Sequence, residues 1–121
     1  MTPQSATIFA FWQHFQARNW AAAHALLAPD FAAHWPHTGE RFAGRDTFIA
    51  MNHEYPEGWT LRVLEVTGTI SQIEIIHGDE RYVAASFFAV REGKLASVTE
   101  YWVQCGAESP PPWRRNFAEQ P

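Results

Sequence analysis

The hydrophobic period of this chain changes at Trp59, and that change constrains the fold more than any single motif does. Before it, Ile8, Phe11, Trp12 and Phe15 recur at i, i+3, i+4 and i+7, one face of an amphipathic helix. After it, β-branched and aromatic residues run in short alternating blocks. Trp59 to Thr67, Thr69 to His77, Arg81 to Arg91 and Lys94 to Val103 read as four strands. Gly68, His77-Gly78-Asp79 and Glu92-Gly93 separate them, which predicts an antiparallel meander. Helices first and a curled antiparallel sheet afterwards make an α+β domain.

The first half needs its own boundaries. Thr2-Pro3 predicts a cap with proline in the first helical turn. Asn19 caps a second helix from Trp20 to about Leu27, which Pro29 ends. Phe31 to Trp35 reads as a short strand, and Glu40 to Phe42 as a brief return strand. Asp46 caps a third helix to about Asn52, and Tyr55-Pro56-Glu57-Gly58 is a loop. With 121 residues the chain suits one domain, 1–121, of which 106–121 is a proline-rich tail. Ser109-Pro110-Pro111-Pro112-Trp113 cannot continue a central strand, so the tail is expected to pack extended over the sheet or a partner subunit.

Composition narrows the partners. The net charge is -4 and the basic residues are scattered, so nucleic acid and anionic membrane are not expected. No apolar run approaches the roughly 18 residues of a membrane span, and the N-terminus lacks the basic region of a signal peptide. The single cysteine, Cys105, fits a reducing cytoplasm. His34 and His37 lie three residues apart around Pro36, a spacing that matches no standard zinc pattern, so no metal is expected. No glycine-rich phosphate loop suggests a cofactor.

The last strand carries the chemistry. Alternation puts Val98, Glu100 and Trp102 on one face and Thr99, Tyr101 and Val103 on the other. If the first face meets the core, a carboxylate sits indoors beside an indole, which is costly unless it is paired, hydrogen-bonded or touched by a ligand. The aromatic content of 15% exceeds what a small core needs, so an aromatic-lined cavity with one polar spot is the natural reading.

This order of elements resembles the NTF2-like superfamily, and within it the SnoaL-like, polyketide-cyclase-like branch. The resemblance rests on Trp20-Ala21-Ala22-Ala23-His24-Ala25-Leu26-Leu27-Ala28-Pro29-Asp30-Phe31, on His34-Trp35-Pro36-His37-Thr38-Gly39-Glu40, on Phe42-Ala43-Gly44-Arg45-Asp46, and on Gly93-Lys94-Leu95 with Glu100-Tyr101-Trp102. It implies a cone, with three N-terminal helices packed in a curved, mainly antiparallel sheet around an internal pocket. It also implies a homodimer through the sheet. Ketosteroid isomerases of the superfamily carry a base aspartate just before the first-strand proline, where this chain has Trp35, and an oxyanion-hole tyrosine where it has Phe11. Their second oxyanion group would fall near Ala85 or Phe87. The resemblance therefore argues against that route to isomerisation.

Three functions stay open. The first is binding of a small apolar or aromatic molecule in the cone. Phe11, Trp35, His37, Asn52, Tyr55, Trp59, Val98 and Trp102 are the expected ligand-binding residues, with Phe11, Trp35 and Val98 placed there by the resemblance. The second is a cofactor-free cyclase, isomerase or dehydratase with Glu100 as general acid or base, its pKa raised by burial. The third is a protein-interaction module. Glu100 could equally be a structural carboxylate that organises the cavity. Glu74, among isoleucines, is expected outward on a sheet edge or dimer face; an inward Glu74 would meet Glu100.

Overall fold

The computed structural model describes residues 1–119. It contains helices α1 (Pro3–Gln16), α2 (Trp20–Ala25) and α3 (Arg45–His53), and strands β1 (Leu27–Trp35), β2 (Glu40–Ala43), β3 (Trp59–Thr67), β4 (Ile70–His77), β5 (Glu80–Arg91) and β6 (Lys94–Gln104). The six strands form one sheet in the order β2-β1-β6-β5-β4-β3. All neighbours are antiparallel except β1 and β6, which run parallel. The meander is as the glycine spacing predicts, and the whole is the α+β cone that the resemblance implied.

Helix α1 lies in the hollow of the sheet because its apolar face is continuous. Ile8, Phe11, Trp12 and Phe15 are all buried. Polar bonds then fix its axis: Thr2 caps it by accepting from Ser5 N–H, Ser5 Oγ donates to Gly68 O at 2.8 Å, and Trp12 Nε1 donates to Ser71 Oγ at 3.0 Å. The core continues through Phe31, Phe48, Ile73, Leu95 and Val98.

Three boundaries differ from the sequence reading. Helix α2 stops at Ala25 and β1 begins at Leu27, so Pro29 lies inside a strand rather than ending a helix. Proline is tolerated there because the β1–β6 pairing breaks register between Leu27 and Ala32. Gly44, not Asp46, is the N-cap of α3: its φ of +90° is left-handed, and its N–H donates to Phe31 O. Asp46 lies in the first turn and bonds His24 at 2.6 Å instead. The tail does not pack over the sheet. It forms a short 3-10 helix, Pro112–Arg114, with Trp113 and Phe117 exposed. Gln120 and Pro121, the end of the tail, lie outside the described residues.

One irregularity positions the site. Across the β5–β6 hairpin Val90 faces Leu95, but Ala89 faces Ser97, so β6 holds one extra residue at Ala96. The bulge switches inward-facing residues on β6 from odd to even numbers. Leu95 before it and Val98 after it are both buried. It also brings Ser86, rather than Ala85, opposite Glu100.

Candidate functional site

Glu100 is 1% exposed. Its carboxylate is held on both oxygens. Ser86 Oγ, from the facing residue of β5, donates to Oε2 at 2.6 Å, and Trp35 Nε1, from the neighbouring β1, donates to Oε1 at 3.0 Å. No arginine or lysine pairs with it among the described residues. Burial therefore pushes its pKa above the ordinary carboxyl value, and the two neutral donors pull it only part of the way back.

Above Glu100 the cone opens into a chamber of about 470 Å³, a size typical of small-molecule sites. Trp35 and Trp102 form one corner of it, ring centroids 6.0 Å apart and planes at 67°. Trp102 has room because its partner across the hairpin is Ala84. Helix α3 and the following loop supply Met51, Asn52, Glu54 and Tyr55, and Tyr82 and Ile75 line it from the sheet. His37 and Thr38, in the β1–β2 turn, complete the mouth, where the His37 ring stacks on Trp35 at 6.1 Å.

A recess of about 20 Å³ lies beneath and shares Asn52, Tyr55, Ile75 and Trp102 with the chamber. Glu100 and Trp59 border this recess and not the chamber. A ligand in the chamber thus meets the indoles that cover Glu100, while the carboxylate stands one layer behind them. The indole N–H groups of Trp59 and Trp102 are buried and without a hydrogen-bond partner.

The expected ligand residues therefore divide. Trp35, His37, Asn52, Tyr55 and Trp102 line the chamber, and Trp59 lines the recess. Phe11 and Val98 line neither; both are in the core, with Phe11 packed on Trp12, Phe15 and Phe88. Helix α1 buries the Phe11 face completely, which closes the path from that ring to the cavity. Ala85 and Phe87 face outward, so the inward residue at that level is Ser86.

Sequence reasoning missed Ser86, Glu54, Tyr82 and His77. Ser86 was hidden by the bulge. His77 sets the pose of Tyr55: with Nε2–H donating to Glu57 O at 3.2 Å, Nδ1 accepts from Tyr55 O–H at 2.8 Å. The ring packs 3.3 Å from where a Cβ on Gly58 would stand, and Gly58 has φ +114°, so glycine is required there. Burial raises the Tyr55 pKa, and the nearby Glu80 charge adds to this. Tyr82 O–H donates to Glu80 at 2.7 Å, and its own pKa is pushed up to about 12. His34 is exposed and alternates with buried Ala33, which puts it on the outer face, and among the described residues no three His, Cys, Asp or Glu side chains are grouped to hold a metal. Nor is any helix among them long and apolar enough to cross a membrane.

The family model for a SnoaL-like domain matches residues 8–98. Among solved structures, a candidate ketosteroid isomerase from Kribbella flavida DSM 17836 is 32% identical, with a TM-score of 0.88 over 98% of this chain and 89% of that one. An NTF-2 like protein of unknown function from Burkholderia xenovorans LB400 is 23% identical, with a TM-score of 0.72 over 98% and 94%. A candidate polyketide cyclase from Xanthomonas campestris pv. campestris is 20% identical, with a TM-score of 0.63 over 82% and 89%. Comparison with curated proteins gives no match.

Proposed function

Because this chain belongs to the SnoaL-like domain family, we propose that it binds a mostly apolar small molecule in the aromatic chamber, and that Glu100 acts first as the clamp that orients Trp35. The observation that carries this reading is the separation of roles. The 470 Å³ chamber is walled by Trp35, Tyr55, Tyr82 and Trp102, while both oxygens of Glu100 are already engaged behind them. Native mass spectrometry of protein purified without denaturation should detect a co-purified ligand, and Trp35→Ala should lose it. A preparation that binds no apolar compound, judged by indole fluorescence across a library, would remove the reading.

A second reading is favoured by the raised pKa of Glu100. A carboxyl poised above its ordinary range suits general acid or base catalysis, and two of the similar structures are named as a candidate ketosteroid isomerase and a candidate polyketide cyclase. In this reading the protein is a cofactor-free cyclase, isomerase or dehydratase. A ketosteroid-isomerase route is not favoured, because Phe11 is a core residue without a hydroxyl. Turnover separates the readings: Glu100→Gln keeps the binding of neutral apolar compounds in both and abolishes product formation only if the proton passes through Glu100.

We also propose a homodimer through the outer face of the sheet. Ile70, Ile76, Phe87, Tyr101 and Val103 stand there with more than a third of each side chain exposed, and Phe87 and Tyr101 already touch at 6.2 Å. Light scattering at micromolar concentration should give twice the chain mass; a monomer would refute this.

A further inference from the structure

We propose that the ligand of the chamber carries a positively charged nitrogen with apolar substituents, a tertiary or quaternary ammonium, and that the site rejects anions. This inference rests on the ligand-binding reading above and names its ligand class.

The charge inventory of the site is one-sided. No lysine or arginine lines the chamber or the recess. Arg18, paired with Glu57, lies with its guanidinium 3.3 Å from the ring centroid of Trp59 in the recess wall, and so is already engaged by that indole and Glu57. Arg62 and Arg81 are held on Glu74 and Arg91 on Asp30, none of them in the chamber lining. Three carboxylates remain around it and belong to none of those pairs. Glu54 is on its wall. Glu80 reaches Tyr82 by a hydrogen bond, and its charge is felt at Tyr55. Glu100 lies behind Trp35 with neutral donors alone. The remaining titratable groups are the two tyrosines, His37 at the mouth and His77, which is taken up by Tyr55 and Glu57.

An anion entering this space would meet the Glu54 carboxylate on the wall, with Glu80 and Glu100 behind it, and no lysine or arginine among the lining residues. A neutral apolar ligand would gain only burial. A cation would gain burial and the attraction of aromatic rings, and would supply, from across the indoles, the opposite charge that Glu100 has no partner for. Four of the chamber walls are indoles or phenols, the side chains best suited to an alkylammonium. Met51 and Ile75 accept its apolar substituents.

The test compares three soluble probes of one shape: N,N-dimethylbenzylamine, protonated at pH 7; N,N-dimethylbenzamide, neutral; and phenylacetate, anionic. Binding is read from indole N–H shifts by NMR. The amine should bind on the order of tenfold more tightly than the amide, phenylacetate should not bind, and added salt should weaken the amine alone. Glu54→Gln and Glu80→Gln, both at exposed positions, should each weaken the amine several-fold more than they weaken the amide. An amide that binds as well as the amine would overturn the inference while leaving the binding reading standing. So would amine affinity indifferent to salt and to both variants. Failure of all three probes at millimolar concentration would sink the inference and count against the binding reading as well.

Discussion

Two buried glutamates stand on opposite faces of the same sheet, and they are stabilised in opposite ways. Glu74, on the outer face, is one-tenth exposed and bridges Arg81 and Arg62, the latter at 3.1 Å. Arg81 chiefly, with Arg62, holds its carboxyl below the ordinary range despite the opposing effect of burial. Glu100, on the inner face, has Ser86 and Trp35 and no cation, and burial wins. The difference shows what each face is for. Charges that meet water at the rim of a sheet can be neutralised by flexible arginines. A carboxylate inside an aromatic cone has only neutral donors within reach, so its charge stays available to a ligand or a proton.

The sharpest way to break the inner arrangement is Trp35→Asp. It removes the donor to Oε1 and sets a second carboxylate beside the first. We expect a loss of about 2–4 kcal/mol in urea unfolding at neutral pH. Unchanged stability would mean that Trp35 does not hold Glu100 in solution. Ser86→Ala is gentler, because it deletes one buried hydroxyl and keeps the indole. A hydrogen bond to a charged group is worth roughly 1.5–3 kcal/mol, so a loss approaching that range is expected at the pH where Glu100 is ionised. The loss should shrink as pH falls and Glu100 takes up a proton. A pH-independent loss would show that Ser86 matters for packing alone.

The two glutamates were not equally legible in the sequence. Alternation along β6 placed Glu100 with Val98 and Trp102, and it worked because all three follow the bulge at Ala96. The same bulge defeated the pairing across the hairpin. Counting back from the Glu92-Gly93 turn with no extra residue puts Ala85 opposite Glu100, and Ser86 escaped notice. Glu74 stood among isoleucines that face both ways, so period alone could not orient it. Only the β4–β5 and β3–β4 pairings bring Arg81 and Arg62 to its side. The α+β order and the meander followed from the helix-to-strand change at Trp59 and from turn glycines, which are local signals; the cone came only with the resemblance to the NTF2-like superfamily. The chamber's width is set by side chains from α3, β4, β5 and a loop, and no local pattern encodes their meeting.

A third variant tests the outer partner of the comparison. Glu74→Gln removes the acceptor of two arginines that are themselves largely exposed, so we expect a modest drop in melting temperature at neutral pH. The sign with pH is fixed by the lowered pKa. The contribution of Glu74 is present above its unfolded value, near 4.5, and is lost as pH falls through the lower folded value. The difference between wild type and Glu74→Gln should therefore close in acid. A gap that persists at pH 2 would assign the effect to something other than the ion pairs.

The smallest expected effect is also the one that separates the inner face from the outer. Glu100→Gln keeps the shape and both contacts: the amide oxygen accepts from Trp35 N–H, and the amide nitrogen donates to Ser86 Oγ. What it removes is the charge. Because the folded pKa is raised, the stability of the wild type is full below the unfolded value and drains as pH rises through the folded one. The variant has no such drain, so it should match the wild type in acid and equal or exceed it at neutral pH. Glu74→Gln should show the opposite pH trend. Thermal unfolding of both variants between pH 3 and pH 8 makes the comparison directly. If Glu100→Gln instead destabilises strongly at neutral pH, the inner carboxylate has a cationic partner in solution, and the two faces of the sheet would follow one rule. If it is stable but loses affinity for ammonium probes while keeping affinity for neutral ones, the buried charge is being read by the ligand.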